Sequence, residues 1–333
     1  MKFNLKNISN SRPFLFGIAT LMILFFHSTI EISNTENIFF KIIAFIKKCG
    51  NTGVDIFLFL SAIGLYFSMS KESNVKKFYF KRIVRILPAL LFVNLLWFAY
   101  KDTIGIKNYF LEVTGLAIFV NGSRTCWYFT LLILLYFIYP FLYKLEKKWG
   151  TKVYIFAIIL IIAMNYFISI KSPLLFKYIE IALRRIPVFL LGCIFSKYIY
   201  NGIEINKKYL IFIFLVMIGC IYIFYNIKAI SIGNQIWRYV GGILAVSLVF
   251  IISYLYQYIK NVKLIEWIGI YSMETYLLFE KFLIIFKPIM KAQDTYNLIF
   301  NFSILIITIL ASIYLRKLTD TISNNLLHKE IKE

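Results

Sequence analysis

The chain has 333 residues, of which 60% are hydrophobic and only 16% are charged. This composition is too apolar for a soluble domain to bury, so soluble enzymes and soluble binding modules are excluded. The net charge of +21 does not indicate nucleic acid as a partner. The basic residues are spread over short loops between apolar segments, where anionic membrane lipids are the expected partners.

Apolar segments long enough to cross a bilayer, about 20 residues each, recur along the whole sequence. In chain order they cover 13–31, 51–70, 83–100, 104–120, 125–143, 153–170, 178–200, 208–226, 237–258, 267–286 and 295–315. Lys107 and Glu112 interrupt the fourth segment, which we interpret as re-entrant or extracellular. The sequence therefore predicts an all-α polytopic membrane protein, with about ten transmembrane helices in one bundle. Residues 1–333 are predicted to form a single domain with a short cytoplasmic tail at about 317–333.

Both ends of the chain are predicted to be cytoplasmic. An even number of spans puts the two ends on one side, and the majority of the Lys and Arg residues fall on that side. The first span lacks a small-residue cleavage site, so we expect it to remain as a permanent helix. The abundance of Lys, Asn and Ile is typical of an AT-rich bacterial genome, which favours the bacterial cytoplasmic membrane.

Ionisable side chains inside the predicted spans are the candidates for function, because each of them is costly in lipid. His27 and Asp55 share a depth in the outer part of the membrane, and Ser61 follows nearer the middle. Glu274 is predicted near mid-depth. A polar chamber is expected where four helices bring together a histidine, three carboxylates and two arginines, namely His27, Asp55, Glu274, Glu280, Arg184 and Arg185.

Arg82 and Arg85 are predicted at the inner mouth of the bundle, three residues apart and therefore on one helix face. Two guanidinium groups so placed can hold phosphate oxygens bidentately. Ordinary positive charge flanking a span is the alternative interpretation of the same two residues.

The chamber and the inner mouth together suggest group transfer from a phosphate-bearing donor. An imidazole, whose pKa lies near neutrality, suits removal of a proton from a hydroxyl group by His27. Asp55 is expected to orient the imidazole, and Arg185 to stabilise a developing oxyanion. The alternative is that pairs such as Arg–Glu or His–Asp only fasten helices to one another.

At these residues the sequence resembles membrane-bound acyltransferase family 3, whose members acylate sugars of cell-surface glycans from acyl-CoA. The similarity runs in order along nearly the whole chain. It comprises RPFLFGIATLMILFFH (12–27), GVDIFLFLSAIGLYFS (53–68), FYFKRIVRILPALL (78–91), CWYFTLLILLYFIYPFL (126–142), RRIPVFLLGCIFSK (184–197) and WIGIYSMETYLLFEKF (267–282). The resemblance implies a stand-alone member without a fused extracellular domain.

The resemblance also implies roles for individual residues. His27 is the implied catalytic base and Asp55 a supporting acid, with Arg82 and Arg85 as the clamp for the donor phosphates. The implied pocket residues are Trp127, Arg185, Glu274 and Glu280.

Three positions depart from the family pattern. Phe16 stands where many members carry arginine, so Arg12 is the candidate to replace that arginine in donor binding. Phe279 stands where a second histidine is common, and Ala62 replaces a glycine. His27 is therefore expected to act alone.

The first functional hypothesis is an O-acyltransferase, with acetyl as the expected group, that moves it from acetyl-CoA to a polysaccharide or a lipid-linked glycan. The second is a non-enzymatic transporter or flippase of an anionic or lipid-linked sugar, which the lack of internal repeats disfavours. A structural subunit of an envelope-synthesis complex ranks third. No metal is expected, because the four cysteines have no ligand spacing. Acceptor identity, acyl length and a homo-oligomeric state are left open.

Overall fold

A computed structural model describes residues 2–30, 32, 37–72, 74–101, 105–226, 233–286 and 294–332. The helices in these ranges are α1 (Lys6–Asn10), α2 (Arg12–His27), α3 (Ile38–Cys49), α4 (Gly53–Lys71), α5 (Val75–Lys101), α6 (Ile106–Thr114), α7 (Ala117–Val120), α8 (Trp127–Trp149), α9 (Lys152–Lys171), α10 (Pro173–Leu183), α11 (Ile186–Tyr200), α12 (Lys207–Asn226), α13 (Gly233–Tyr256), α14 (Lys263–Ile270), α15 (Ser272–Phe286) and α16 (Asp294–Lys332). A 3₁₀ turn at Gly50–Thr52 joins α3 to α4.

Seven stretches of helix within the described residues are long and apolar enough to cross a membrane. They are Ile38–Lys71, Val75–Tyr100, Trp127–Trp149, Lys152–Lys171, Lys207–Asn226, Ile236–Tyr256 and Ile299–Leu326. Helix α2 is also apolar but is shorter than these seven stretches. The prediction of an all-α polytopic membrane protein is confirmed.

Two predicted spans are each broken into a pair of shorter helices. The span 178–200 becomes α10 and α11, because the chain turns at Arg184 and Arg185. Pro187 is the second residue of α11, where its missing N–H costs no helical hydrogen bond. The span 267–286 becomes α14 and α15, which meet at Tyr271. The apolar pattern predicted one span at each place, and the breaks put polar side chains inside the bundle.

Other boundaries also differ from the sequence prediction. Helix α2 ends at His27, whereas the predicted span reached residue 31, which lies outside the described residues. The weak segment 104–120 forms α6 and α7, separated by a left-handed Gly115, and does not span. Residue 104 itself lies outside the described residues. The helix α16 continues to Lys332 through the region expected to be a tail.

A small antiparallel sheet, which the all-α class did not include, pairs β1 (Lys2–Asn4) with β2 (Glu204–Asn206). Phe3 faces Ile205 in this register, and the Phe3 side chain is buried. The sheet holds the start of the chain beside the turn between α11 and α12. The beginning of α2 therefore lies at the same end of the bundle as that turn.

Helix α4 lies at the centre of the bundle and is buried along almost its whole length. Helix α11 packs closely on it, because Gly192 approaches the backbone of Phe59 so tightly that an added Cβ would lie 2.6 Å from its carbonyl oxygen. Helix α2 meets α14 in the same way, since an added Cβ at Gly17 or Gly269 would overlap a carbonyl oxygen of the other helix. These contacts fix the helices that carry the candidate site. Exposed apolar side chains such as Phe156 and Phe212 cover the outside, as lipid requires.

Candidate active site

Helix α2 carries a candidate residue at each of its two ends. Arg12 is its first residue and His27 its last, fifteen residues apart. At a rise of 1.5 Å per residue this separation is about 22 Å. We call the surroundings of these two residues the Arg12 end and the His27 end of the bundle.

A cavity of about 180 Å³ lies toward the Arg12 end. Its polar lining includes Arg82, Arg85, Ser61, Tyr128, Tyr136 and Ser272, and aromatic rings form much of the remainder. The Arg82 guanidinium carbon lies 5.6 Å from the centre of the Phe78 ring and 5.7 Å from that of Tyr136. The structure thus places both residues of the expected phosphate clamp on one cavity.

Arg12 joins this pair of arginines. Gly64 leaves room for its side chain, because an added Cβ there would lie 2.7 Å from Nη2 of Arg12. The charges of Arg12 and Arg82 act on each other, and both act on Tyr136. The Arg12 guanidinium also lies 5.5 Å from the centre of the Phe16 ring. Three arginines therefore meet at the Arg12 end.

Glu274 also lies at the Arg12 end, which differs from the expected place in the chamber near mid-depth. Its fully buried carboxylate accepts from Nη1 of Arg316 at 3.5 Å. Arg316 Nε donates to Asp320 at 2.6 Å, and Asp320 lies 3.7 Å from Arg85. The physical reason is the break at Tyr271, which puts Glu274 in the first turn of α15.

Aromatic side chains separate the cavity from the His27 end. The rings of Tyr128 and Tyr276 lie 5.2 Å apart and both line the cavity. Ser61 lies within hydrogen-bonding reach of Tyr128 and Tyr136. The charge of Arg185 acts on Tyr128 and Tyr276. These tyrosines are therefore the boundary between the arginine-lined cavity and the other end of the bundle.

His27 is exposed at the end of α2, with its imidazole edge-on to Phe26 at a centroid distance of 5.1 Å. The carboxylate whose charge acts on it is Glu280, which is exposed on α15. The structure thus brings Glu280, rather than Asp55, to the histidine. An exposed imidazole beside a carboxylate is open to an incoming hydroxyl group.

Asp55 pairs instead with Arg185, and the two side chains are only 5% and 1% exposed. Nη1 of Arg185 donates to Asp55 Oδ2 at 2.7 Å, and Nη2 donates to Asn51 Oδ1 at 2.7 Å. The guanidinium lies over the Trp127 ring at 5.4 Å. This network joins the turn before α11 to the start of α4 and to the first residue of α8, which is the helix-fastening alternative considered from the sequence.

Sequence reasoning missed several residues of the two ends. Arg238 lies inside the predicted span 237–258, so an intramembrane arginine was the available signal. Arg316 and Asp320 were treated as tail or flanking charges, yet they contact Glu274 and Arg85. Among the described residues, no three His, Cys, Asp or Glu side chains come together as metal ligands.

A family model described as an acyltransferase domain matches residues 17–317. The match covers His27, Asp55 and the arginines of the cavity, while Arg12 precedes its first residue. No curated protein and no solved structure matches the chain.

Proposed function

Because the chain belongs to acyltransferase family 3 and is a multi-pass membrane protein, we propose that it is an acyl-CoA-dependent O-acyltransferase. The expected reaction moves an acetyl group from acetyl-CoA to a hydroxyl of a cell-surface polysaccharide or a lipid-linked glycan. The bacterial cytoplasmic membrane is the proposed location, with both chain ends in the cytoplasm.

The observation that carries this proposal is the cavity shared by Arg82 and Arg85, with Arg12 beside it. Guanidinium groups bind phosphate oxygens with charge-assisted, often bidentate hydrogen bonds. Aromatic rings around them suit the rest of a nucleotide-bearing donor. The acyl end of the donor is then directed toward Tyr128 and Tyr276, the boundary with the His27 end.

The proposed chemistry takes place on the His27 side of these tyrosines. His27 accepts the proton of the acceptor hydroxyl while the hydroxyl oxygen attacks the carbonyl carbon of the thioester. The C–S bond breaks, and the coenzyme A thiolate receives a proton from the imidazolium. Glu280 offsets the charge that the imidazole gains. Asp55 and Arg185 hold the surrounding helices in place and are assigned as positioning residues.

The test uses purified protein in liposomes, a glycan acceptor and acetyl-CoA carrying a radioactive acetyl group. The His27→Ala variant is expected to lose about 100-fold or more of kcat/KM, the usual contribution of a general base. Its melting temperature should stay unchanged, because His27 is exposed.

His328→Ala, which removes the other histidine of the chain, is the matched control and should keep full activity. Wild-type transfer by His27→Ala contradicts the assignment of the base. Movement of a sugar across the membrane without consumption of acetyl-CoA supports the transporter hypothesis instead.

A further inference from the structure

A group of arginines toward the His27 end outnumbers the described carboxylates that pair with it. Arg185 forms an ion pair with Asp55. Glu180 is shared by two other arginines, with Nη1 of Arg184 at 3.0 Å and Nη2 of Arg124 at 3.3 Å. Both carboxylates of this group are therefore already engaged.

Arg238 adds a fourth guanidinium to this group. An added Cβ at Gly242 would overlap Val188 of α11, so helices α13 and α11 run in close contact. Gly241 lies against Thr52 of the 3₁₀ turn, with an added Cβ 3.3 Å from its methyl group. Arg238 is one turn before Gly242, and Arg185 is three residues before Val188, so both arginines precede this contact in their segments. The charges of Arg184, Arg185, Asp55 and Glu180 all act on Arg238.

Among the described residues, the carboxylates that act on Arg124, Arg184, Arg185 and Arg238 as ion-pair partners are Asp55 and Glu180, so arginines outnumber carboxylates in this part of the structure. Nη1 of Arg238 is buried and has no hydrogen-bond partner among the described residues. A buried donor without an acceptor is costly, and more so when it is charged. The indole of Trp237 lies 5.0 Å from the guanidinium and holds it in place without neutralising it.

We propose that Arg238, with its unpartnered Nη1, binds an oxyanion, a phosphate or carboxylate group, carried by the acceptor. The substrate class is then an anionic glycan, an assignment that rests on the proposed acyltransferase function. The arginines proposed for the donor phosphates, Arg82 and Arg85, line a separate cavity toward the Arg12 end. Arg124, with a side chain that is 45% exposed, leaves one side of the group open to solvent.

The first test measures binding without any acyl transfer. The full-length chain with Arg82→Gln and Arg85→Gln, which removes the donor clamp, is titrated with glucose 1-phosphate, glucuronate or uncharged glucose. Both anions are expected to raise the melting temperature by about 2 °C or more at saturation, while glucose leaves it unchanged. If that double variant does not fold, wild-type protein saturated with coenzyme A takes its place.

Arg238→Gln in the same background should abolish the rise, whereas Lys152→Gln, an exposed basic residue of α9, should keep it. An equal rise in Arg238→Gln, or no rise with either anion, overturns the proposal. The titration is repeated in phosphatidylcholine nanodiscs with and without phosphatidic acid. Loss of the rise in phosphatidic acid means that a lipid headgroup fills the site, which overturns the assignment to the acceptor.

The second test uses catalysis. Arg238→Gln is expected to raise KM for an anionic glycan about ten-fold or more, since a hydrogen bond to a charged group is lost. KM for acetyl-CoA should not change. Normal acceptor KM in an active Arg238→Gln enzyme overturns this inference alone, whereas anion binding without any transferase activity overturns only the proposed function.

Discussion

Arg85 and Arg185, toward opposite ends of the bundle, have opposite surroundings. At the Arg12 end, Arg85 is 42% exposed, borders a cavity and lies 3.7 Å from Asp320, a loose pairing. At the His27 end, Arg185 is almost completely buried and meets Asp55 at 2.7 Å. An arginine whose terminal nitrogens are held by buried hydrogen bonds fastens helices together, whereas one beside a cavity keeps donors for a ligand. The same residue type in a span therefore does not indicate one role.

The largest effect is expected from breaking the buried pair. Arg185→Gln leaves Asp55 as an uncompensated buried charge, which costs about 3–5 kcal/mol of the free energy of unfolding. Denaturation of the purified variant in detergent measures this loss. The control is Arg124→Gln, since Arg124 is 45% exposed and its ion pair is worth about 1 kcal/mol or less. Equal stability of the two variants would remove the distinction between fastening and ligand-binding arginines.

A smaller effect, on donor binding rather than on folding, is expected at the cavity. Arg82→Gln and Arg85→Gln should each raise KM for acyl-CoA about ten-fold or more, because each removes a charge-assisted hydrogen bond. The effect on kcat should be smaller, since the donor phosphates are remote from the reacting carbonyl. Lys81→Gln is the control for flanking charge. Unchanged KM in both arginine variants would mean that they are ordinary flanking charges.

The smallest effect is expected at Asp320. Asp320 is 42% exposed, and its ion pairs with Arg85 and Arg316 are screened there, so Asp320→Asn should change the free energy of unfolding by about 1 kcal/mol or less. KM for acyl-CoA should fall, because Arg85 loses a competing carboxylate. Glu204→Gln, which disrupts the exposed pair with Lys2, serves as the control and should leave KM unaltered. A rise in KM for Asp320→Asn would show that Asp320 orients Arg85 for the donor.

The fold class could be predicted from the sequence because lipid imposes a strong rule on helix length and composition. The same rule gave a wrong prediction where a helix is broken, because it predicted one continuous helix. An apolar window across 267–286 does not reveal that the chain turns at Tyr271, so counting depth along one straight helix placed Glu274 too far from Arg85. The charge of Glu280, rather than that of Asp55, acts on His27, and this arrangement depends on how α2, α4 and α15 are rotated, which the sequence pattern does not reveal.

Residues that meet across several helices were harder still to predict. Arg82 and Arg85 could be placed together because they are three positions apart on one helix and therefore share a face. Arg238 and Arg185 come together only through the close contact of Gly242 with Val188, which no spacing along the chain encodes. Arg238 can nevertheless be recognised from the sequence as an ionisable residue within a predicted span. Intramembrane arginines near a span boundary are therefore worth keeping as candidates.

Helix α16 fixes the distance between the two ends. Asn301 accepts a hydrogen bond from the backbone N–H of Thr29, two residues after His27, at 3.0 Å. Nineteen residues later on the same helix, Asp320 lies beside Arg85. The two contacts are about 28 Å apart along one continuous helix. An axial displacement of α16 at the mouth of the cavity is therefore also a displacement beside the histidine, so the two ends are mechanically linked.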